Sequence, residues 1–394
     1  MNGTIYMPVG EVCSSISDTY REKKNMVTLI NTSDVLEGRV LNHERVPNSN
    51  LKGQFKKTFQ RDDILYSEIR PQNRRFAYVD FSPIDYIAST KLMVIRAKKD
   101  VVSPKYLYYF LKNSSTVAEL QLLAETRSGT FPQITFSEVA NLTIPVPSLA
   151  VQEVIVQTMQ CLEDKITCNE QINDNLEQQA QAIYHERFET VSPNDLPSDW
   201  RIVTLGEVAT ISNKSFNPLK EPEILLEHYS IPAFDEARFP VFELSTSIKS
   251  NKFIIDASCF MISKLNPTTK RVWKPYCLTG NAVCSTEFIV YKAKDKTITD
   301  FLYSVIDSNS FSDFMCSHVT GSTGSRQRTT PSDTLSYELI LPSEDELAEF
   351  QSLVSPMYAQ IRINAIENDR LKRLRDSLLP KLMSGEIDVS TIQL

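Results

Sequence analysis

Basic and amide side chains recur at corresponding places in the two halves of this 394-residue chain. The first half offers Lys52, Lys56, Lys57, Arg61, Arg70, Arg74, Arg75, Arg127 and Gln133; the second offers Lys264, Asn266, Lys270, Arg271, Lys274, Arg326, Gln327 and Arg328. Arginine and lysine donate to phosphates and guanine edges, while asparagine and glutamine make paired bonds to adenine. Several of these residues fall in two polar loops, residues 127–133 and 320–328. In the second loop the backbone NH of Gly321 and the hydroxyls of Ser322 and Ser325 suit phosphate contact. Taken singly, each residue reads equally well as solvated surface. Their value lies in the duplication, because two similar readers fit a nucleic-acid site with two parts.

Catalytic chemistry is missing by comparison. There is no G-x-x-x-x-G-K-[ST] phosphate loop, and the ten glycines form no G-x-G-x-x-G. His43, His185, His228 and His318 lie far apart, without metal-ligand spacing. Ser322 and Ser325 are not in G-x-S-x-G, and Glu22-Lys23-Lys24 matches a nuclease E-x-K by spelling only. Asn217-Pro218 and Asn266-Pro267 lack the second proline and aromatic residue of an amino-methyltransferase motif. The seven cysteines are an odd number and never form C-x-x-C, which speaks against a disulfide framework or a zinc site. Cys161 and Cys168, one heptad apart, are expected as reduced thiols. No enzyme, metal or cofactor is expected in this chain.

Composition fits that reading. Hydrophobic content of 41% and charged content of 23% are those of a soluble globular protein. A net charge of −7 argues against a simple nucleic-acid coat but leaves room for local basic surfaces. No apolar run approaches the roughly 20 residues needed to span a bilayer, and the N-terminus lacks the pattern of a signal peptide. The expectation is a cytoplasmic protein with no membrane partner.

The elements that must position the loops come in duplicate. Val9-Gly10-Glu11-Val12 recurs as Leu205-Gly206-Glu207-Val208, a shift of 196 residues. The same shift relates Asp63-Ile64-Leu65-Tyr66-Ser67 to Cys259-Phe260-Met261-Ile262-Ser263, and Ser89-Thr90-Lys91 to Ser285-Thr286-Glu287. Tyr106-Leu107-Tyr108 meets Phe301-Leu302-Tyr303 at 195. An ordered series of this kind indicates an internal repeat. Strands are expected near residues 63–69, 76–81 and 91–96, and again near 259–264, 271–278 and 287–293. Helices are expected over 104–112, 116–125 and 298–318.

After each globular half a heptad seam appears. The first has Ile155, Met159, Leu162, Ile166, Asn169, Asn173, Leu176, Ala180 and Ile183; the second has Phe350, Val354, Met357, Ile361, Asn364, Asn368, Leu371, Arg375, Leu378 and Leu382. Pairing Asn169 with Asn368 and Asn173 with Asn364 in an antiparallel arrangement also puts Ile155 against Leu382, Ile166 against Leu371 and Leu176 against Ile361. Met159 then meets Leu378, while Leu162 falls opposite Arg375. A buried asparagine costs stability unless paired, so the asparagine rungs select one register. The overlap would be about 50 Å long at 1.5 Å per residue. Ser148 and Ser343 are the expected N-caps, and Pro356 should kink the second helix or mark its effective start.

The expected fold class is α+β: two similar α/β domains joined by two long helices in an antiparallel coiled coil, with a pseudo-two-fold internal repeat. The boundaries are 1–147, 148–190, 191–341 and 342–394.

Four stretches carry a resemblance: Ile144-Pro145-Val146-Pro147; residues 162–177 with Asn169 and Asn173; Asp199-Trp200 through Val208; and Leu378-Leu379-Pro380-Lys381-Leu382-Met383-Ser384-Gly385-Glu386-Ile387. In these the chain resembles the specificity subunits of Type I restriction–modification systems over essentially its full length. The resemblance implies a host-defence role in DNA methylation. One target-recognition domain would read each half of a bipartite double-stranded DNA target. The helices would dock two modification (methyltransferase) subunits that bind S-adenosylmethionine. Restriction (translocase/nuclease) subunits would add ATP- and magnesium-dependent work, and this chain would catalyse nothing. The first half lacks a counterpart of Trp200, and residues 343–350 depart from the family's usual helix entry. The competing reading is a coiled-coil interaction scaffold whose two modules are not specific for DNA.

Overall fold

The computed structural model describes residues 4–22, 24–49, 53–126, 132–192, 194–221, 223–320 and 327–389. Of the loop residues singled out above, Lys52, Arg127, Gly321, Ser322, Ser325 and Arg326 lie outside the described residues. The chain divides into two compact units, one of Met1–Lys165 with Leu371–Leu394 and one of Ile166–Arg370. Both cuts fall inside the long helices, so each unit owns a β-rich lobe and a segment of each helix.

In the first unit a four-stranded antiparallel sheet runs in the order Cys13–Ile16, Leu92–Ala97, Ile64–Ser67, Phe76–Tyr78. In the second the order is Ala209–Ile211, Phe288–Ala293, Cys259–Ser263, Val272–Trp273. The register is the same in both. Val94 pairs Leu65 and Leu65 pairs Ala77, just as Val290 pairs Met261 and Met261 pairs Trp273, every residue displaced by 196. An outer ribbon repeats as well: Met7 faces Ile144, and Val203 faces Leu339. Here the N-terminal strand has moved by 196 and the C-terminal strand by 195. Between Ala97 and Tyr106 the second copy has therefore lost one residue.

The repeated Gly-Glu pair has a packing reason. A Cβ on Gly10 would sit 3.0 Å from the Cβ of Ala140, and one on Gly206 would sit 3.2 Å from the carbonyl of Leu335. Both glycines let a one-turn helix approach its neighbour more closely than a side chain would allow. Lys98 Nζ donates to the carbonyl of Glu11 and Lys294 Nζ to that of Gly206, tying down the same turn.

Each unit also carries a second sheet that the sequence reading missed. It joins Met26–Ile30 in parallel to Tyr86–Ser89 in the first unit, and Leu225–Tyr229 in parallel to Ala282–Ser285 in the second. Its flanking strands are two to four residues long, too short for a clear alternation. The expected strand over 271–278 shrinks to Val272–Trp273. Its remainder passes Pro275 and then Cys277 at φ +46°, a backbone that cannot continue a ladder.

The helices follow the sequence closely. Pro104–Lys112 starts with proline at its first position, where the missing NH costs nothing. The first long helix spans Leu149–Tyr184 and ends in a π-helical turn, His185–Glu189. Ser148 caps it, its Oγ accepting from the NH of Val151 at 3.4 Å. The second spans Glu344–Ser384, capped by Ser343 Oγ on the NH of Glu346 at 3.4 Å. Three acids in its first turn complement the helix dipole. Pro356 does not mark its start; the helix begins twelve residues earlier and runs through the proline.

The asparagine rungs pair as the spacing predicts. Asn169 Nδ2 donates to Asn368 Oδ1 at 2.8 Å and to Glu367 Oε2 at 2.7 Å, and Asn364 Nδ2 donates to Asn173 Oδ1 at 2.8 Å. Asn169 is 1% exposed, yet its Oδ1 has no partner among the described residues. At the ends the buried faces rotate toward the lobes. Gln152 and Val156 are buried on the first unit, and Tyr184 and Phe188 on the second, where they meet Phe301 and Phe350. The lobes, beyond the partner helix alone, set which residues are inside.

Two turns show the repeat at its finest. Ser67 Oγ donates to the carbonyl of Ile69 and accepts from its NH; Ser263 does the same with Leu265. The next residue is left-handed in both, Arg70 at φ +45° and Asn266 at φ +48°. That conformation costs a side-chain-bearing residue about 1–2 kcal/mol.

Two measurements follow from these features. In a double-mutant cycle by urea unfolding, Asn169→Leu and Asn368→Leu should each cost about 1–3 kcal/mol, since each strands a buried amide. The double variant should lie closer to wild type than either single; strictly additive losses would show that the rung does not pair. At the turns, Asn266→Gly should hold or raise Tm and Asn266→Val should lower it. Equal values would mean that the left-handed backbone carries no strain.

Candidate nucleic-acid interface

The two Ser turns open onto matching platforms. In the first unit the NH of Arg70 donates to the carbonyl of Pro132, and the NH of Ile134 to that of Glu68. In the second the NH of Asn266 donates to the carbonyl of Gln327, and the NH of Thr329 to that of Lys264. Gln133 thus lies against Ile69, and Arg328 against Leu265, through equivalent single β-bridges. The residue that follows each is a buried anchor, Ile134 at 0% and Thr329 at 1% exposure. Thr329 Oγ1 also donates to the carbonyl of Met315. Gln133 and Arg328 are half-buried, with their backbones fixed on both sides.

Around each position stand charges of opposite pattern. Lys91 Nζ lies 3.5 Å from Glu68 Oε2 and 3.4 Å from Gln133 Oε1. At the corresponding places the second unit has Glu287 for Lys91 and Lys264 for Glu68. Glu287 accepts from Arg328 Nε and Nη2, both at 3.0 Å, which fixes the plane of the guanidinium and raises its pKa further. Sequence reasoning named Gln133, Lys264, Gln327 and Arg328 but missed Glu68, Lys91 and Glu287. The signal was present, because Lys91 and Glu287 occupy the same place in the aligned Ser-Thr-Lys and Ser-Thr-Glu segments.

Arg74, Arg75, Lys270 and Arg271 are bonded to other groups of the protein. Arg75 Nη1 donates to the carbonyl of Ser33 at 3.0 Å, and Arg271 makes a bidentate pair with Asp235 at 2.6 and 2.8 Å. Arg74 and Lys270, also equivalent, turn toward the helical side. Arg74 Nη2 donates to Ser114 Oγ at 3.0 Å, and Lys270 Nζ lies 3.0 Å from Asp307 Oδ1. Lys270 lines a cavity of about 480 Å³ with Glu177, Gln181, Arg238 and Asp307. Burial there pushes the carboxyls of Glu177 and Asp307 above the ordinary range, against the pull of Arg238 and Lys270. Arg70 stands at the exposed apex of its turn, beside the start of the loop that returns at Pro132.

Among the described residues no group of three or more His, Cys, Asp or Glu side chains could hold a metal, and no helix is long and apolar enough to cross a membrane. Cys161 and Cys168 are free and exposed.

Comparison with known proteins places this architecture. A family model described as the Type I restriction modification DNA specificity domain matches residues 6–178. The HindI specificity subunit of Haemophilus influenzae is 29% identical over 92% of this chain and 94% of its own length. The MjaIX specificity subunit of Methanocaldococcus jannaschii is 25% identical over 79% of this chain and 77% of its own. Among solved structures, the type I S subunit from M. genitalium superposes with a TM-score of 0.55 at 15% identity, covering 97% of each chain. This last likeness bears on the fold alone. With this agreement along most of its length, the chain is similar to the specificity subunits of Type I restriction–modification systems, and its first half matches their DNA specificity domain.

Proposed function

We propose that this subunit reads a bipartite double-stranded DNA target, one half-site per β-rich lobe, and scaffolds two modification subunits together with restriction subunits. The observation that carries the reading is the pair of equivalent platforms, alike in the main-chain bonds that pin Gln133 and Arg328 and different in side chains. A two-part target needs that combination. Arg70, Gln133, Lys264, Gln327 and Arg328 supply the groups that donate to phosphates and base edges. Arg74, Arg75, Lys270 and Arg271 belong to the same reading as candidates for phosphate contact, each held by a bond within its own unit. The loop residues Arg127, Gly321, Ser322, Ser325 and Arg326 belong to the same reading by their sequence. S-adenosylmethionine, ATP and magnesium are assigned to the partner subunits, none to this chain, and the complex works on chromosomal DNA in the cytoplasm.

The test is methylome sequencing of cells that express the modification subunit with and without this chain. A new motif in two parts, separated by a fixed unread spacer, is the expected result. A continuous motif, or no added methylation, would refute the reading. Specific binding by the assembled complex should also weaken steeply with salt, the logarithm of affinity falling by about 0.9 per phosphate contact for each unit of log salt concentration. A flat salt response with intact assembly would favour the scaffold that does not bind DNA.

A further inference from the structure

We infer that Gln133 and Arg328 are the same specificity-determining position in two copies, with Gln133 reading an A·T pair in one half-site and Arg328 a G·C pair in the other. The inference rests on the proposed DNA-reading function and deepens it. Three observations converge on these two residues.

First, the position is fixed by main-chain bonds that repeat in both units. The β-bridges Ile69–Gln133 and Leu265–Arg328, and the bonds from Ile134 to Glu68 and from Thr329 to Lys264, hold the same segment in the same place. A base reader must be held to within about 0.5 Å, and backbone pinned on both sides of one residue does that. In the second unit Thr320 also pairs with Arg328, and Val319 with Thr329.

Second, this is where the copies differ in readout chemistry while agreeing in framework. Glutamine presents one acceptor and one donor side by side, the complement of the adenine N6 and N7 edge. Arginine presents a donor fork, the complement of guanine O6 and N7. Each residue is polar and half-buried.

Third, each reader has a prop of matching chemistry at one equivalent position. Lys91 Nζ reaches Gln133 Oε1 at 3.4 Å, and the Glu287 carboxylate takes Arg328 Nε and Nη2 at 3.0 Å each. Lys91 and Glu287 are positioning residues, and each is the prop that its own reader requires. An arginine beside Lys91, or a glutamine beside Glu287 alone, would lose this support. Orienting a side chain before it binds lowers the entropy cost of the contact.

The experiment uses the full-length chain with its modification subunits and reads the methylated motif by genome-wide sequencing. Arg328→Gln should relax or change one position of one half-site and leave the other half unchanged. Discrimination for guanine there should fall roughly five- to 150-fold, the worth of one bidentate base contact. Arg328→Lys keeps the charge opposite Glu287 but not the fork, so it should assemble normally and still lose that discrimination. Gln133→Ala should relax one position of the other half-site. The paired change Gln133→Arg with Lys91→Glu should move that position toward guanine. An unaltered motif in Arg328→Gln and Gln133→Ala would overturn the assignment. So would complete loss of methylation in Arg328→Lys as well as Arg328→Gln, because the residue would then be holding the fold. If the unmodified chain directs no bipartite motif, the underlying reading has failed and the assignment with it.

Discussion

A serine hydroxyl at the end of a sheet strand is the constraint on which each recognition platform depends. Ser67 and Ser263 are both 2% exposed, and each satisfies a donor and an acceptor of the residue two places on. A buried hydroxyl in this role takes the place of a ladder bond just where the strand must stop. It turns the chain, puts the next residue in the left-handed region, and leaves main-chain groups aimed at the loop that returns beside them. The strain at Arg70 and Asn266 persists because the serine bonds before them and the inter-loop bonds after them over-determine the backbone.

Buried polar groups elsewhere follow the same economy. Glu227 is fully buried, and its two oxygens accept from the Tyr229 hydroxyl, the NH groups of Leu278 and Thr279 and the Thr279 hydroxyl. A carboxylate so surrounded is tolerable, and it locks the loop after Trp273 to the parallel strand pair. In the first unit Asp63 and Arg96 form a bidentate pair at 2.7 Å with the aspartate at 0% exposure. The asparagine rungs are less complete, since Asn169 Oδ1 accepts nothing among the described residues. Such a layer adds little to stability. What it supplies is register, because every slipped alignment would leave at least two of the four amides without an amide opposite.

The sequence made the framework legible and the chemistry around the readers only partly so. The internal shift of 196 located the two inner strands of each central sheet to within a residue or two, because register is a main-chain property that survives side-chain divergence. Heptad spacing found the helix seam, and the asparagine pair found its alignment. Tyr184 and Phe188 were missed, since they face the lobe and a pattern of period 3.5 describes contact with one partner only. The second sheet was missed because its flanking strands are too short to show a period. At the platforms the basic residues were easy to name, but a charge written in a sequence does not show its partner. Arg75, Lys270 and Arg271 looked as available as Arg328, and only the structure shows what each one holds.

The separation of framework from side chain is what lets two lobes with one architecture carry different exposed groups, as the proposed reading of two half-sites requires. The bonds that place Gln133 and Arg328 run between NH and C=O groups, which every residue except proline possesses in full. Their anchors, Ile134 and Thr329, point inward and take no part in readout. The changed groups, Glu68 for Lys264, Lys91 for Glu287 and Gln133 for Arg328, are partly exposed pairs of the kind that contribute about 0–1 kcal/mol. Replacing them therefore costs little stability, whereas moving the platform would break main-chain bonds and bury polar groups unpaired, at about 1–3 kcal/mol each. Under that balance the exposed side chains of a lobe diverge long before its framework does. The repeat within this single chain records that outcome.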